Sequence, residues 1–241
     1  MEVVKKPNLF IIGAPKCGTT SLIHYLSQHP EVFVSPIKEP HFFNEDSGHR
    51  YYFDEKKYLD LFSKSQAQHT YSCEGSVWYL YSKVAVANIL EFNPDAKFIV
   101  LLRNPVKMYF SLHRELLFGG SENVSSPTKA WALQEDRKMG AHIPEHCSDP
   151  RLLQYGDACK LGKQVAAIVD KIPSENLKFV FLDDMASDPD GTFQSVLQFL
   201  KASMLHLPSY EVVNVKKVRK YRMLSKFFIF TTGLKKKLGI K

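Results

Sequence analysis

Leu9-Phe10-Ile11-Ile12-Gly13-Ala14-Pro15-Lys16-Cys17-Gly18-Thr19-Thr20-Ser21-Leu22 is the stretch on which the fold turns. An apolar run, Asn8–Ile12, ends at Gly13 and reads as a buried strand feeding a glycine loop. Thr20–Ser27 then places Leu22, Ile23, Tyr25 and Leu26 at helical spacing and stops before Pro30. A loop between a strand and a helix start directs backbone N–H groups and the positive end of the helix dipole at an anion. The Gly-x4-Gly frame from Gly13 to Gly18 is that of a phosphate loop, but Thr19 stands where a nucleotide hydrolase carries lysine. The loop's one lysine, Lys16, lies three positions earlier.

Working outward, the pattern alternates. Val32–Val34 and Thr70–Cys73 are short strands, and Asp54–Ser63 and Val84–Phe92 are helical in pattern. Lys97–Leu102 is the clearest buried strand, with a helix over Val106–Phe118 after it. Arg151–Ile172 suits a long helix, Leu177–Leu182 a strand and Thr192–Leu200 a helix. Continuously apolar strands separated by helices imply an α/β fold: a central parallel sheet with helices on both faces, its site at the carboxyl ends of the strands. With no linker or repeat, residues 1–241 read as one domain. The polar, Gly-containing Gly119–Thr128 reads as a mobile excursion within a variable region, 119–150, where binding specificity is expected.

The chain has 241 residues, 44% hydrophobic and 24% charged, enough for a sizeable core. Its net charge of +7 is unevenly spread: residues 216–241 hold ten basic residues and no acidic one, leaving 22 basic against 25 acidic residues in 1–215. A near-neutral body argues against nucleic-acid coating and leaves room for a local anion site. No apolar run approaches the roughly 20 residues needed to span a bilayer, and residues 1–8 show no leader, so a cytoplasmic location is expected. Cys17, Cys73, Cys147 and Cys159 show no zinc-type spacing; Cys147 and Cys159 are near enough to pair, although reduced thiols are the simpler expectation.

Pro15–Leu22 resembles the 5′-phosphosulfate loop of the sulfotransferases that use 3′-phosphoadenylyl sulfate (PAPS), whose lysine sits inside the loop. The second mark of that family is an Arg after a strand and a Ser eight residues on, which bind the 3′-phosphate; Phe98–Ser111 supplies Arg103 and Ser111 in that order. Independently of the family, Arg103 at a strand end offers a planar fork to phosphate, with a hydroxyl donor following on the next helix. Pro36–Phe43 resembles the KE-x-H-F/Y-F segment of heparan-sulfate-type carbohydrate sulfotransferases. That match makes Glu39 the general base for an acceptor hydroxyl and sets His41 beside it.

The resemblance therefore implies a P-loop-like sulfotransferase fold, PAPS as co-substrate and no required metal. Lys16 would assist departure of 3′,5′-ADP, with Cys17, Gly18, Thr19, Thr20, Ser21, Arg103 and Ser111 holding the nucleotide. Lys217 and Arg219, in a basic segment similar to the family's nucleotide-closing loop, would join them. The acceptor would be a carbohydrate or small-metabolite hydroxyl. Two departures stand out: Gly75 falls where heparan-type enzymes carry an acceptor-side lysine, and Asn44 replaces an Asp. Trp78 and Tyr79 are available to stack on a sugar. Phe227–Phe230 with Lys235–Lys237 suits core docking, or else an anionic membrane surface.

Two other readings compete. In a magnesium-dependent small-molecule kinase, Phe179–Asp184 would be an apolar strand ending in metal-holding acids. In a non-enzymatic adaptor, the basic tail would be essential and the 13–21 loop dispensable.

Overall fold

The computed structural model describes residues 6–211, so Lys217, Arg219 and the rest of the basic tail lie outside the described residues. Five strands form one parallel sheet in the order β2-β3-β1-β4-β5: β1 Leu9–Gly13, β2 Val32–Val34, β3 Tyr71–Gly75, β4 Lys97–Leu102 and β5 Leu177–Phe181. β1, central in the sheet, is buried at every position, as its unbroken apolar run requires. The chain leaves β1 towards β2 and β3 on one side and later builds β4 and β5 on the other. The crevice beyond β1 is thus the topological switch point, where ligands of such sheets bind.

The helices are α1 Thr19–Leu26, α2 Glu55–Leu59, α3 Ala85–Phe92, α4 Pro105–Gly119, α5 Pro127–Ala132, α6 Gln134–Lys138, α7 Tyr155–Ala158, α8 Leu161–Val169, α9 Leu182–Ser187 and α10 Pro189–Leu200. None among the described residues is long and apolar enough to cross a membrane. α4 starts abruptly because Asn104 caps it, its side chain accepting from the N–H groups of Val106 and Lys107, and Pro105 takes the first turn.

One sequence expectation changes here. In place of a long helix within 151–172 there is a 3-10 turn, Pro150–Leu153, followed by the short α7 and α8, which are separated at Cys159 and Lys160. Within 119–150 the chain carries α5 and α6, and a fully buried ion pair inside the region, Arg137 Nη2–Glu122 Oε1 at 2.7 Å, holds part of the Gly119–Thr128 excursion in place. Tyr155 Oη donates to the same carboxylate at 2.7 Å, and the N–H groups of Asn123 and Val124 donate to Glu122 Oε1. All four cysteines are free, in line with the expectation of reduced thiols, and Cys147 and Cys159 are not bridged.

Gly75 has a packing reason. A Cβ there would sit 2.3 Å from Ile23 Cδ1, so a lysine at this position would displace α1 side chains. Gly75→Ala needs only the Ile23 terminal methyl to swing aside and is expected to cost at most about 1 kcal/mol, read as a slightly lower urea midpoint with unchanged slope.

Candidate active site

The glycine loop closes β1 and delivers its lysine into a cavity of about 540 Å³. The Ala14 N–H donates to the Leu101 carbonyl at 2.8 Å, clamping the loop to β4. Lys16 follows with φ +64°, a left-handed backbone uncommon outside glycine. Gly18 (φ +91°) caps α1, whose first turn, Thr19, Thr20 and Ser21, lines the cavity. Cys17 does not: it is buried in the core, and burial pushes its thiol up to about 12, so it contributes backbone and packing only.

β4 and α4 supply the second wall. Arg103 Nη1 donates to the Lys16 carbonyl at 2.7 Å, while its buried Nε has no acceptor among the described residues. An uncommitted guanidinium donor in a cavity is what an incoming oxyanion would satisfy. Ser111, two helical turns along α4, lines the same cavity. One turn further, Glu115 Oε2 lies 3.1 Å from Lys16 Nζ. Sequence reading passed over Glu115, although its i,i+4 relation to Ser111 places it on the same helix face.

The third wall is Glu39, on the loop after β2. Its N–H donates to the Gly75 carbonyl at 3.1 Å, the His41 N–H donates to Ser76 Oγ at 3.0 Å, and the N–H groups of Phe42 and Phe43 donate to Tyr79 Oη at 2.9 and 3.2 Å. The Gly75–Tyr79 stretch therefore holds the Glu39 segment in place. Tyr79 is fully buried in this role and offers no face to a sugar; Trp78 does line the cavity.

Glu39 and His41 both have left-handed backbone, φ +61° and +50°. Strain at adjacent candidate residues marks a segment whose shape its surroundings impose. Glu39 Oε2 lies 3.4 Å from Nε2 of the fully buried His41, and Lys38 Nζ donates to Glu39 Oε1. Burial pushes the Glu39 carboxyl up, but the His41 contact and the Lys38 charge outweigh it and hold the group at about 2. Glu39 is therefore ionised at rest, and losing the Lys38 contact is the step that would make it a stronger base.

His49, from the same long loop, was not singled out in the sequence; it lines the cavity with its ring 4.8 Å from that of His41. No periodicity or motif marks it. Behind the site, burial pushes the fully enclosed Glu74 up to about 7, against a 2.7 Å hydrogen bond from Tyr58 Oη.

The acids that supported the kinase reading fall elsewhere. β5 ends at Phe181, and Asp183 and Asp184 begin α9 exposed to solvent, Asp183 lying 3.9 Å from Lys107 Nζ, outside the cavity lining. The strand is one residue shorter than expected because Leu182 turns into the helix.

A profile of the Sulfotransferase domain matches residues 6–228. The chain belongs to the sulfotransferase family. This sulfotransferase-family chain is 27% identical over 252 aligned residues to mouse carbohydrate sulfotransferase 15, covering 83% of the chain and 44% of that protein. To mouse heparan sulfate glucosamine 3-O-sulfotransferase 3A1 it is 27% identical over 194 residues, covering 80% and 45%. It thus spans less than half the length of these curated relatives. The crystal structure of a sulfotransferase from Alicyclobacillus acidocaldarius superimposes with a TM-score of 0.75 at 28% identity, covering 98% of this chain and 97% of that one.

Proposed function

We propose that this chain transfers the sulfuryl group of PAPS to a hydroxyl of a carbohydrate or small metabolite, releasing 3′,5′-ADP. The observation that carries this reading is that one cavity gathers Lys16, the α1 N-terminus, Arg103 and Ser111 on one side and Glu39 on another. The acceptor oxygen attacks sulfur and its proton passes to Glu39, while the bond from sulfur to the 5′-phosphate oxygen breaks. Lys16 and the α1 N–H groups neutralise the charge left on that phosphate. Arg103 and Ser111 hold the 3′-phosphate, and Tyr25, Met185, Pro189 and Tyr210 give the cavity an apolar side suited to a purine. The position of 119–150 supports its role in acceptor choice, since Gly119 and Ser121 line the cavity.

The test is calorimetric titration with 3′,5′-ADP, against ADP and ATP as controls, in EDTA. Preferential binding of 3′,5′-ADP, weakened about 10- to 100-fold in Arg103→Ala, is expected from loss of a charge-assisted contact. Magnesium-dependent preference for ATP would overturn the reading.

Glu115 adds a further expectation. A carboxylate beside Lys16 opposes a polyanionic ligand, so Glu115→Gln should tighten 3′,5′-ADP binding about three- to tenfold at low salt. The gain should shrink as salt rises, because Glu115 is half-exposed and screened.

A further inference from the structure

Glu39, His41 and His49 each present one ligand atom, and these atoms all lie within 4.8 Å of one another. Two imidazoles and one carboxylate are a donor set for borderline-soft divalent ions, with bonds of about 2.0–2.2 Å that place ligand atoms roughly 3.3 Å apart. A contraction of up to about 1.5 Å completes the set, and His49 lines the cavity wall with the Tyr51 hydroxyl 3.1 Å from its Nε2.

His41 is already fixed. Its ring is fully buried, packs edge-on against Tyr79 (centroids 5.9 Å, 89°), and follows a backbone pinned to Ser76 Oγ. One ring nitrogen meets Glu39; the other, Nδ1, has no hydrogen-bond partner among the described residues. A buried imidazole whose bonding capacity the protein does not use up is an unspent ligand.

We propose that Glu39, His41 and His49 form a binding site for a zinc-class divalent cation. Resting on the assignment of Glu39 as the base, the consequence is inhibition. A cation sharing the Glu39 lone pairs removes the proton acceptor and leaves the Lys16 and Arg103 side available to nucleotide. Lys38 competes with the cation for the same carboxylate. It is a flexible, exposed side chain, so its displacement is cheap, and its charge opposes the ion until it leaves.

The experiment is a Co²⁺ titration of the full chain, followed by visible d–d absorption, with Zn²⁺ displacing the cobalt. One equivalent of tightly held ion is expected, bound at least tenfold more weakly by His49→Ala and about three- to tenfold more tightly by Lys38→Ala. Equal affinity in wild type and His49→Ala would overturn the proposal, because the ion would then sit on other histidines or thiols. So would weaker binding in Lys38→Ala, which would show that Lys38 does not compete at the site. A parallel 3′,5′-ADP titration should give the same affinity with and without Zn²⁺; a large loss with zinc would also overturn the placement. Failure of the nucleotide to bind metal-free protein would instead count against the sulfotransferase reading, so the two failures appear in different titrations.

Discussion

Glu39→Gln is expected to lower turnover about 10²–10⁴-fold, the usual contribution of a general base, while 3′,5′-ADP affinity changes no more than about threefold. The amide keeps the size of the side chain and removes the proton acceptor. The backbone of Glu39 is held by Gly75 and that of His41 by Ser76, so the segment keeps its shape without the charge. Lys38 loses its partner but is largely solvent-exposed, so the fold should tolerate the change. Turnover by single-turnover sulfation and affinity by calorimetry check the two halves separately. Retained turnover would move the base elsewhere, and lost nucleotide affinity would move Glu39 to the donor side.

Arg137→Met is expected to destabilise the fold by about 3–5 kcal/mol, because it leaves the Glu122 carboxylate buried without its cation. Bidentate contacts at 2.7 Å from Nη1 and Nη2, with Tyr155 on the same group, make this the most enclosed ion pair in the described residues. Urea unfolding measures the loss. The pH dependence follows with a definite sign. Burial raises the Glu122 carboxyl, but Arg137 and its neighbours outweigh it and hold the group below its ordinary 4.5. The pair's contribution is therefore complete above about pH 4.5 and is lost as pH falls through the lowered value. Arg137→Met should lack that acid-side loss. Because Gly119, Ser121 and Leu152 line the cavity, the variant should also raise the acceptor KM more than it weakens 3′,5′-ADP binding.

The parts of the site legible in the sequence were those set by short spacings. The runs Asn8–Ile12 and Lys97–Leu102 read as strands buried on both faces, and the strands observed there are Leu9–Gly13 and Lys97–Leu102. Lys16 follows directly from the loop after the first, and Arg103 and Ser111 from the strand end and helix after the second. Their order along the chain sets their positions relative to their own elements. Glu39 was found by family resemblance, and its carboxylate sits in the cavity wall, in contact with the buried His41. By contrast, Glu122 and Arg137 look like ordinary solvated charges in the sequence, so nothing there shows that Gly119–Thr128, which reads as a mobile excursion, has Glu122 paired in the core. Asp183 and Asp184 looked like the end of a strand because an apolar run does not show where a helix takes over.

The chain's alternation of apolar runs, its glycine loop and its local spacings were sufficient for a parallel α/β sheet with an anion site beyond β1, because each depends on residues within a turn or two. The pairing of Lys16 with Glu115, 99 positions apart, the hold of the Gly75–Tyr79 stretch on Glu39, and the meeting of His49 with His41 came from packing. Contacts across the sheet and between loops leave no periodic trace. They depend on which surfaces the core brings together and which charges it can neutralise once water is gone.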